Sequence, residues 1–523
     1  MRNILLALLS AVLLSAGWLG VSGLPAFIGF IPLLVISAGY EKGRRGFWRM
    51  FGYAALALGL WSAFTTWWIG MAGEGAWSGS VLSVVITVVL FGAVFMLYHY
   101  VSKRAPAPLA YTLLVAAWIA AEYLYTVGEV SFPWLVLGNG FAGDVKLIQW
   151  YDTTGVFGGS LWVWLCNILI YHAIISRRPV AWIAPLTAVF APAVASLVIY
   201  YTYREPDRTI SVTAVQPNFH PDEKFGFIDE ENQLKIMLHL AAKAPADVDY
   251  IIFPETAVDI DVSLDERRLE LSETVDAFRQ LLRDNYPGAK IITGAMTTRF
   301  YMPGEKPSPT ARSGNGFHYD RYNAAIRIDT TMNTPIHHKS KLLIGVEKMP
   351  YAGRFKWLDN LILDMGGTTG NLGSDSARKV FPDEGGNTVC AAICWEGVFG
   401  AYMSEFVRKG AGVMFIISND SWWGDTQGYR QLFKYSRLRA VETRRSIVRS
   451  ANTGISGFIN QRGDVLEKAG WDERTAITHD IALNDKVTFY VRYGDYVARI
   501  SALVFGLCVL YYIAYRFRSR SLR

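Results

Sequence analysis

Three polar residues stand where an α/β chain places its chemistry. Residues 389–393, VCAAI, form an apolar run of strand length that stops at Cys394, followed by Trp395, Glu396 and Gly397. A strand that ends at a small nucleophile before a Gly-containing turn presents that side chain at the sheet edge. A thiol, with an ordinary pKa of about 8.5, becomes a strong nucleophile once a neighbour promotes its ionisation. Glu255 follows the apolar run YIIFP, and Lys339 lies in HHKSKLLIGVEKMP. Together these residues form a coherent set. The carboxylate takes the thiol proton as general base, and the ammonium holds the negative oxygen of a tetrahedral intermediate. Each also has a plainer reading: Cys394 as a packed small hydrophobe, Glu255 as a turn cap, Lys339 as a solvated charge. A metal site would draw on His337, His338, Glu347 and Glu396. Adjacent histidines on an extended segment point to opposite faces, and no zinc-type ligand spacing is present, so no metal is expected.

The elements that must position these residues begin at residue 209, where short β-rich runs alternate with helical ones. ISVTAVQ, VDYIIFP, AKIITGAM, NAAIRIDT, TVCAAIC, GVMFIIS, SIVRSANT and ISGFIN read as strands. ENQLKIMLHLAAKA, LELSETVDAFRQLLRD and QLFKYSRLRAVETRR carry apolar residues at helical spacing. The alternation predicts stacked α/β layers. No GxGxxG or phosphate-loop motif appears, which leaves nucleotide binding without support.

The rest of the chain is oily: of 523 residues, 51% are hydrophobic and 18% charged. Seven apolar stretches, about 3–21, 24–40, 51–70, 81–101, 108–125, 157–175 and 181–201, approach the roughly 20 residues that span a bilayer, and an eighth lies at about 496–516. The first could pass for a signal peptide, but another apolar run follows after only VSGLP, so a helical hairpin is expected. EKGRRGFWRM, SKR, SRR and the tail RFRSRSLR are basic, and loops such as MAGEGAWSG are not. Basic loops in the cytoplasm place the N-terminus inside and residues 203–490 outside. The expected division is 1–202, seven membrane helices; 203–490, an outer catalytic domain; and 491–523, a last membrane helix with a basic tail. Trp134 and Trp150, in the outer loop 126–156, are expected as interfacial anchors, the alternative being that they line a lipid path into the outer domain. The net charge of +6 follows this topology, and no basic, aromatic-interleaved surface points to nucleic acid. Four cysteines make no disulfide framework; Cys390 and Cys394 are about 13 Å apart along one strand.

A family resemblance gathers these features. FPET around Glu255, Lys339 with Leu342 and Glu347 in a K-x-x-L…E register, and CWEG at Cys394 resemble the Glu-Lys-Cys site of the nitrilase superfamily. YNAA (322–325) and SNDSWWGD (418–425) match it as well. With the membrane stretches, the whole chain resembles the bacterial apolipoprotein N-acyltransferases. The resemblance implies an α+β membrane protein with eight transmembrane helices and an inserted nitrilase-like four-layer αββα sandwich. It also implies an enzyme of the cytoplasmic membrane that works on the periplasmic side without a cofactor. Its acyl donor would be a phospholipid, typically phosphatidylethanolamine, and its acceptor the amino group of a diacylglyceryl-cysteine at a lipoprotein N-terminus. By the same matching Cys394 is the nucleophile, Glu255 the base and Lys339 the oxyanion holder. Glu347 supports the site, and Trp395 and Glu396 shape it. Trp395 replaces a usual tyrosine and Phe225 a common tryptophan, at positions that contact acyl chains or acceptor.

Two other functions use the same residues differently. A membrane-tethered amidase would hydrolyse a small amide through the same thioester. A transporter or membrane scaffold would keep the outer domain for binding only; ionisable groups within spans mark transport paths, and only Glu122 clearly lies in one. The segment 353–373, apolar and then Gly-rich, reads equally as a lid at the bilayer surface or as a buried helix.

Overall fold

A computed structural model describes the chain except for residues 41, 42, 74, 222, 259–262, 315, 350, 352–370 and 522–523, and the side chains of Phe225, Arg520 and Ser521. The segment 353–370 therefore lies outside the described residues, as does the Phe225 side chain. The chain divides into two compact units, residues 1–70, 77–203 and 493–523 in one, and 71–76 and 204–492 in the other.

The first unit is helical: α1 (Arg2–Ser15), α2 (Ile31–Ala38), α3 (Arg44–Thr66), α4 (Trp77–Ser102), α5 (Ala107–Val127), α6 (Tyr151–Ser176), α7 (Ile183–Thr202) and the terminal helix Tyr496–Ser521. Among the described residues, six helical stretches are long and apolar enough to cross a membrane, beginning with Arg44–Met71 and ending with Tyr496–Ser519. The first two predicted spans are instead the shorter apolar helices Arg2–Ser15 and Leu24–Ala38. Glycines and a proline at 17–25 interrupt them, and Gly20 takes a left-handed φ of 88°. Helix α7 leaves Leu186, Phe190, Val194 and Val198 exposed, an apolar stripe suited to lipid.

In loop 126–156 Trp134 belongs to this unit's core rather than to an interfacial belt, while Trp150 stays half-buried beside Tyr151 and Trp162. Trp134 is fully buried, its ring 4.9 Å from that of Trp68. Glu122 accepts from Trp118 Nε1 at 3.1 Å and from the Leu137 amide at 2.9 Å. The carboxylate within the span thus secures the loop. A backbone amide with no water to bind requires such a partner.

In the second unit, the described strands form two sheets. The first contains β1 (Thr209–Gln216), β2 (Tyr250–Ile252), β3 (Leu264–Asp265), β4 (Lys290–Phe300), β5 (Arg312–Gly314), β6 (Phe317–Ile328) and β7 (Ile336–His338). The second contains β8 (Phe381–Pro382), β9 (Thr388–Ile393), β10 (Val413–Ser418), β11 (Ser446–Ala451), β12 (Gly457–Ile459) and β13 (Val465–Lys468). β14 (Thr475–Ala482) returns to the first sheet, antiparallel to β1 along its full length. The orders are β14-β1-β2-β4-β6-β5, with β3 on β4 and β7 on β6, and β13-β12-β11-β10-β9-β8.

Four layers follow from where the apolar faces go. Val212, Ile252 and Ile292 of the first sheet pack on Ile393, Phe415 and Val448 of the second. The opposite face of the first sheet packs on α8 (Glu230–Ala241) and α9 (Glu273–Asn285) through Met237, Val275, Phe278 and Leu282. The last three lie at i, i+3 and i+7, one face of a helix. Asp229 and Ser272 cap these helices by accepting from the Asn232 and Val275 amides. Helix α11 (Gln427–Thr443) lies against the second sheet over β11 and β12, and α10 (Gly400–Arg408) packs on α11 and on the turn Cys394–Val398. The unit is an α/β sandwich. β1, β2 and β4 run parallel in one sheet, β9, β10 and β11 in the other. Such sheets collect functional loops at their strands' carboxyl ends.

Candidate active site

Glu255, Lys339 and Glu347 meet in one buried cluster. Lys339, directly after β7, is 2% exposed and donates from Nζ to Glu255 Oε1 and Glu347 Oε1, both at 2.8 Å. Asn323 of β6 donates from Nδ2 to the same two oxygens at 2.8 and 3.0 Å. The second oxygen of Glu255 accepts from the Asn419 amide at 3.1 Å, and that of Glu347 from the Leu343 amide at 2.7 Å. Each carboxylate oxygen thus has a donor and the ammonium has two acceptors, which leaves one of its three N–H groups for a further partner. Burial disfavours the ammonium, but the carboxylates of Glu255 and Glu347 outweigh it and raise the Lys339 pKa, so the residue stays charged.

Cys394 begins a short 3₁₀ turn, Cys394–Val398, at the end of β9. Its φ of 48° is left-handed, a strained state for a residue with a Cβ. Thr256, next to Glu255, has the same φ of 48°. The thiol lies in the field of Glu255, Lys339 and Asp420 and has a hydrogen bond with Ser418. Burial raises its pKa first and the Glu255 carboxylate raises it further, against the opposing pull of Lys339. The resting site therefore pairs a neutral thiol with a charged ammonium, and ionisation of that thiol would require a base.

The sequence-predicted residues divide in the structure. Glu396 is fully buried but serves the scaffold: its Oε1 accepts from the Ser340 and Lys341 amides at 2.7 and 3.3 Å and from the Tyr402 hydroxyl. Its Oε2 accepts from the Ile393 amide at 2.9 Å and lies 3.4 Å from His337 Nε2. One carboxylate thus ties the strand before Cys394 to the segment after Lys339. Burial would raise the Glu396 pKa, but the hydrogen bonds from His337, Tyr402 and Ser340 hold it below the ordinary range. Trp395 is buried edge-to-face on Phe399. His337 and His338 take different carboxylates, Glu396 and Glu266.

Other contributors had weaker signals. Asn323 lies within YNAA, but only the fold reveals that it bridges two glutamates. Asp420 is chelated by Arg449 at 2.7 Å to each oxygen and accepts from Ser418 Oγ at 2.7 Å, which secures the segment whose Asn419 amide holds Glu255. Gly294 of β4 lets that strand approach closely: a Cβ there would fall 2.6 Å from Glu255 Cα and 2.5 Å from the Thr256 nitrogen.

Residues 211–488 match the carbon-nitrogen hydrolase family model. The chain belongs to the carbon-nitrogen hydrolase family. Residues 10–169 match a second model, the apolipoprotein N-acyltransferase N-terminal domain. The apolipoprotein N-acyltransferase of Chlorobaculum tepidum is 28% identical over 504 residues, covering 93% of this chain and 91% of that protein. That of Geobacter metallireducens is 28% identical over 552 residues, covering 99% and 96%. Among solved structures, an amidase from Nesterenkonia sp. aligns with 56% of this chain and 95% of its own, at 14% identity and a TM-score of 0.36. The carbon-nitrogen hydrolase match contains all four residues of the cluster and its cysteine.

Proposed function

We propose that this protein transfers an acyl chain from a membrane phospholipid to the α-amino group of the diacylglyceryl-cysteine that begins a lipoprotein. The observation that carries this reading is a buried ammonium shared by two carboxylates, acting with one of them on a strand-end thiol, in a chain that also contains membrane-length helices. A water-soluble amide needs no such helices. A lipid ester and a lipidated amine both reside in the bilayer.

Each residue has a defined task. Glu255 takes the Cys394 proton, and Sγ attacks the ester carbonyl of the donor, with phosphatidylethanolamine the preferred one. Lys339 stabilises the oxyanion, and the lysophospholipid oxygen leaves with the proton held by Glu255. The acceptor amine then attacks the thioester while Glu255 takes its proton and returns it to the departing thiolate. Glu347 keeps Lys339 charged and in place. Trp395, and Phe225 by its place in the chain, shape the acyl and acceptor path. Glu396 holds the cysteine and lysine segments in register.

Incubation of the purified protein with phosphatidylethanolamine alone, followed by intact mass measurement, is expected to show one acyl increment. Hydroxylamine removes it, and Cys394→Ala never acquires it. A folded protein that stays uncharged in detergent with its lipid refutes acyl transfer from phospholipid. A hydrolase on small amides predicts that outcome.

The two short N-terminal helices complete eight crossings in this reading, and the second unit lies on the periplasmic side of the cytoplasmic membrane. The basis is the Lys/Arg asymmetry of the loops. Reporter fusions near residue 300 and at the C-terminus are expected to score periplasmic and cytoplasmic. The same score at both sites removes the last span.

A further inference from the structure

A buried ammonium with no part in that reaction scheme lies against the Glu255 turn. Lys224, in the short helical turn Glu223–Phe227, is 4% exposed. Its Nζ donates to the Glu255 carbonyl at 3.3 Å and to Thr256 Oγ1 at 2.9 Å. Its backbone is held in turn: the amide donates to the His220 carbonyl at 2.8 Å, and its carbonyl accepts from Gln233 of α8 at 2.8 Å.

The Glu255 turn needs such a clamp. Strand β4 serves it on one side only, where Gly294 N donates to the Pro254 carbonyl and Gly294 O accepts from the Ala257 amide. Between these two bonds lies the left-handed Thr256, and the Glu255 carbonyl is served by Lys224. Charge gives a second reason for a lysine. Glu255 and Glu347 place two carboxylates on the one ammonium of Lys339, and Lys224 adds a partial positive charge beside Glu255. Burial lowers the Lys224 pKa to about 7 and the Glu255 carboxylate only partly opposes it, so near neutral pH the amine donates its hydrogen bonds in both charged and neutral forms.

We infer that Lys224 is a positioning residue that locks the Glu255 peptide, keeping the carboxylate on Lys339 and the Asn419 amide as it exchanges protons. The inference rests on Glu255 acting as the base of the proposed acyl transfer. The test follows charging of Cys394 over time by intact mass in full-length wild type, Lys224→Met and Lys224→Ala, with phosphatidylethanolamine and, separately, with a fatty acyl p-nitrophenyl ester. Thermal melts accompany each variant. The expected result is roughly a hundredfold slower charging in both variants, the scale of a misplaced catalytic group. Ethylammonium restores Lys224→Ala, and ethanol does not. Wild-type charging in either variant overturns the inference. So does slow charging that ethylammonium leaves unchanged, since a residue needed only for folding offers no site for amine rescue. A wild type charged by the activated ester but not by phospholipid refutes the donor reading alone, and the Lys224 comparison is then read from the ester.

Discussion

Lys339→Met is expected to slow charging of Cys394 by about a hundred- to a thousandfold, the usual cost of one oxyanion donor, while Lys341→Met leaves it nearly intact. The contrast is informative because both lysines lie in one short segment and sequence alternation gives them the same face. Lys339 Nζ is 2.8 Å from two buried carboxylates. Lys341 Nζ lies instead over the Phe399 ring, 4.9 Å from its centroid, and the bond to Glu396 comes from the Lys341 backbone, which the substitution keeps. A cation–π contact of this kind contributes about 0.5–1 kcal/mol. Lys339→Met also leaves two carboxylates facing each other across Asn323, and uncompensated buried charge costs roughly 3–5 kcal/mol. A lower melting temperature is therefore expected in Lys339→Met and not in Lys341→Met. Equal losses of rate in the two variants would place the oxyanion donor elsewhere.

What the sequence made legible was the set of strands whose apolar runs end at a polar residue. YIIFP before Glu255 and VCAAI before Cys394 are buried on both faces, so their hydrophobicity is continuous and their ends are sharp. β14 reads TAITHDIA, half-exposed and rich in polar residues, because pairing with β1 rather than burial supports most of it. Its strand character was therefore not visible. The same limit applies around the site. Hydrogen bonds between residues distant in sequence leave no periodic trace: Asn323 lies 68 residues from Glu255, Arg449 lies 29 from Asp420, and Lys224 lies 31 from Glu255. In the membrane unit, composition located the apolar stretches but not their folding. Trp134 has the residue type of an interfacial anchor, yet it is buried against Trp68 because loop 126–156 folds inward onto Glu122.

Glu255→Gln separates the proposed base from its scaffold. The amide oxygen of glutamine still accepts from Lys339 and Asn323, its NH2 gives up the bond from the Asn419 amide, and no carboxylate remains to take the thiol proton. Removal of a positioned general base costs about a hundred- to ten-thousandfold, and charging of Cys394 near neutral pH is expected to fall by that factor. The pH dependence distinguishes this cause from distortion. The thiol pKa is raised first by burial and then by the negative Glu255, with Lys339 opposing. A neutral residue 255 deletes one of the raising influences, so the thiol of the variant ionises at lower pH than that of the wild type. Below that point its rate is expected to climb about tenfold per pH unit as thiolate accumulates without a base. Iodoacetamide labelling of Cys394, followed by peptide mass, reads the same ionisation without any lipid, and its midpoint is expected to move down in the variant. A midpoint that moves up would mean that the Glu255 charge does not reach the thiol. A variant that charges at the wild-type rate at neutral pH would assign proton transfer to another group.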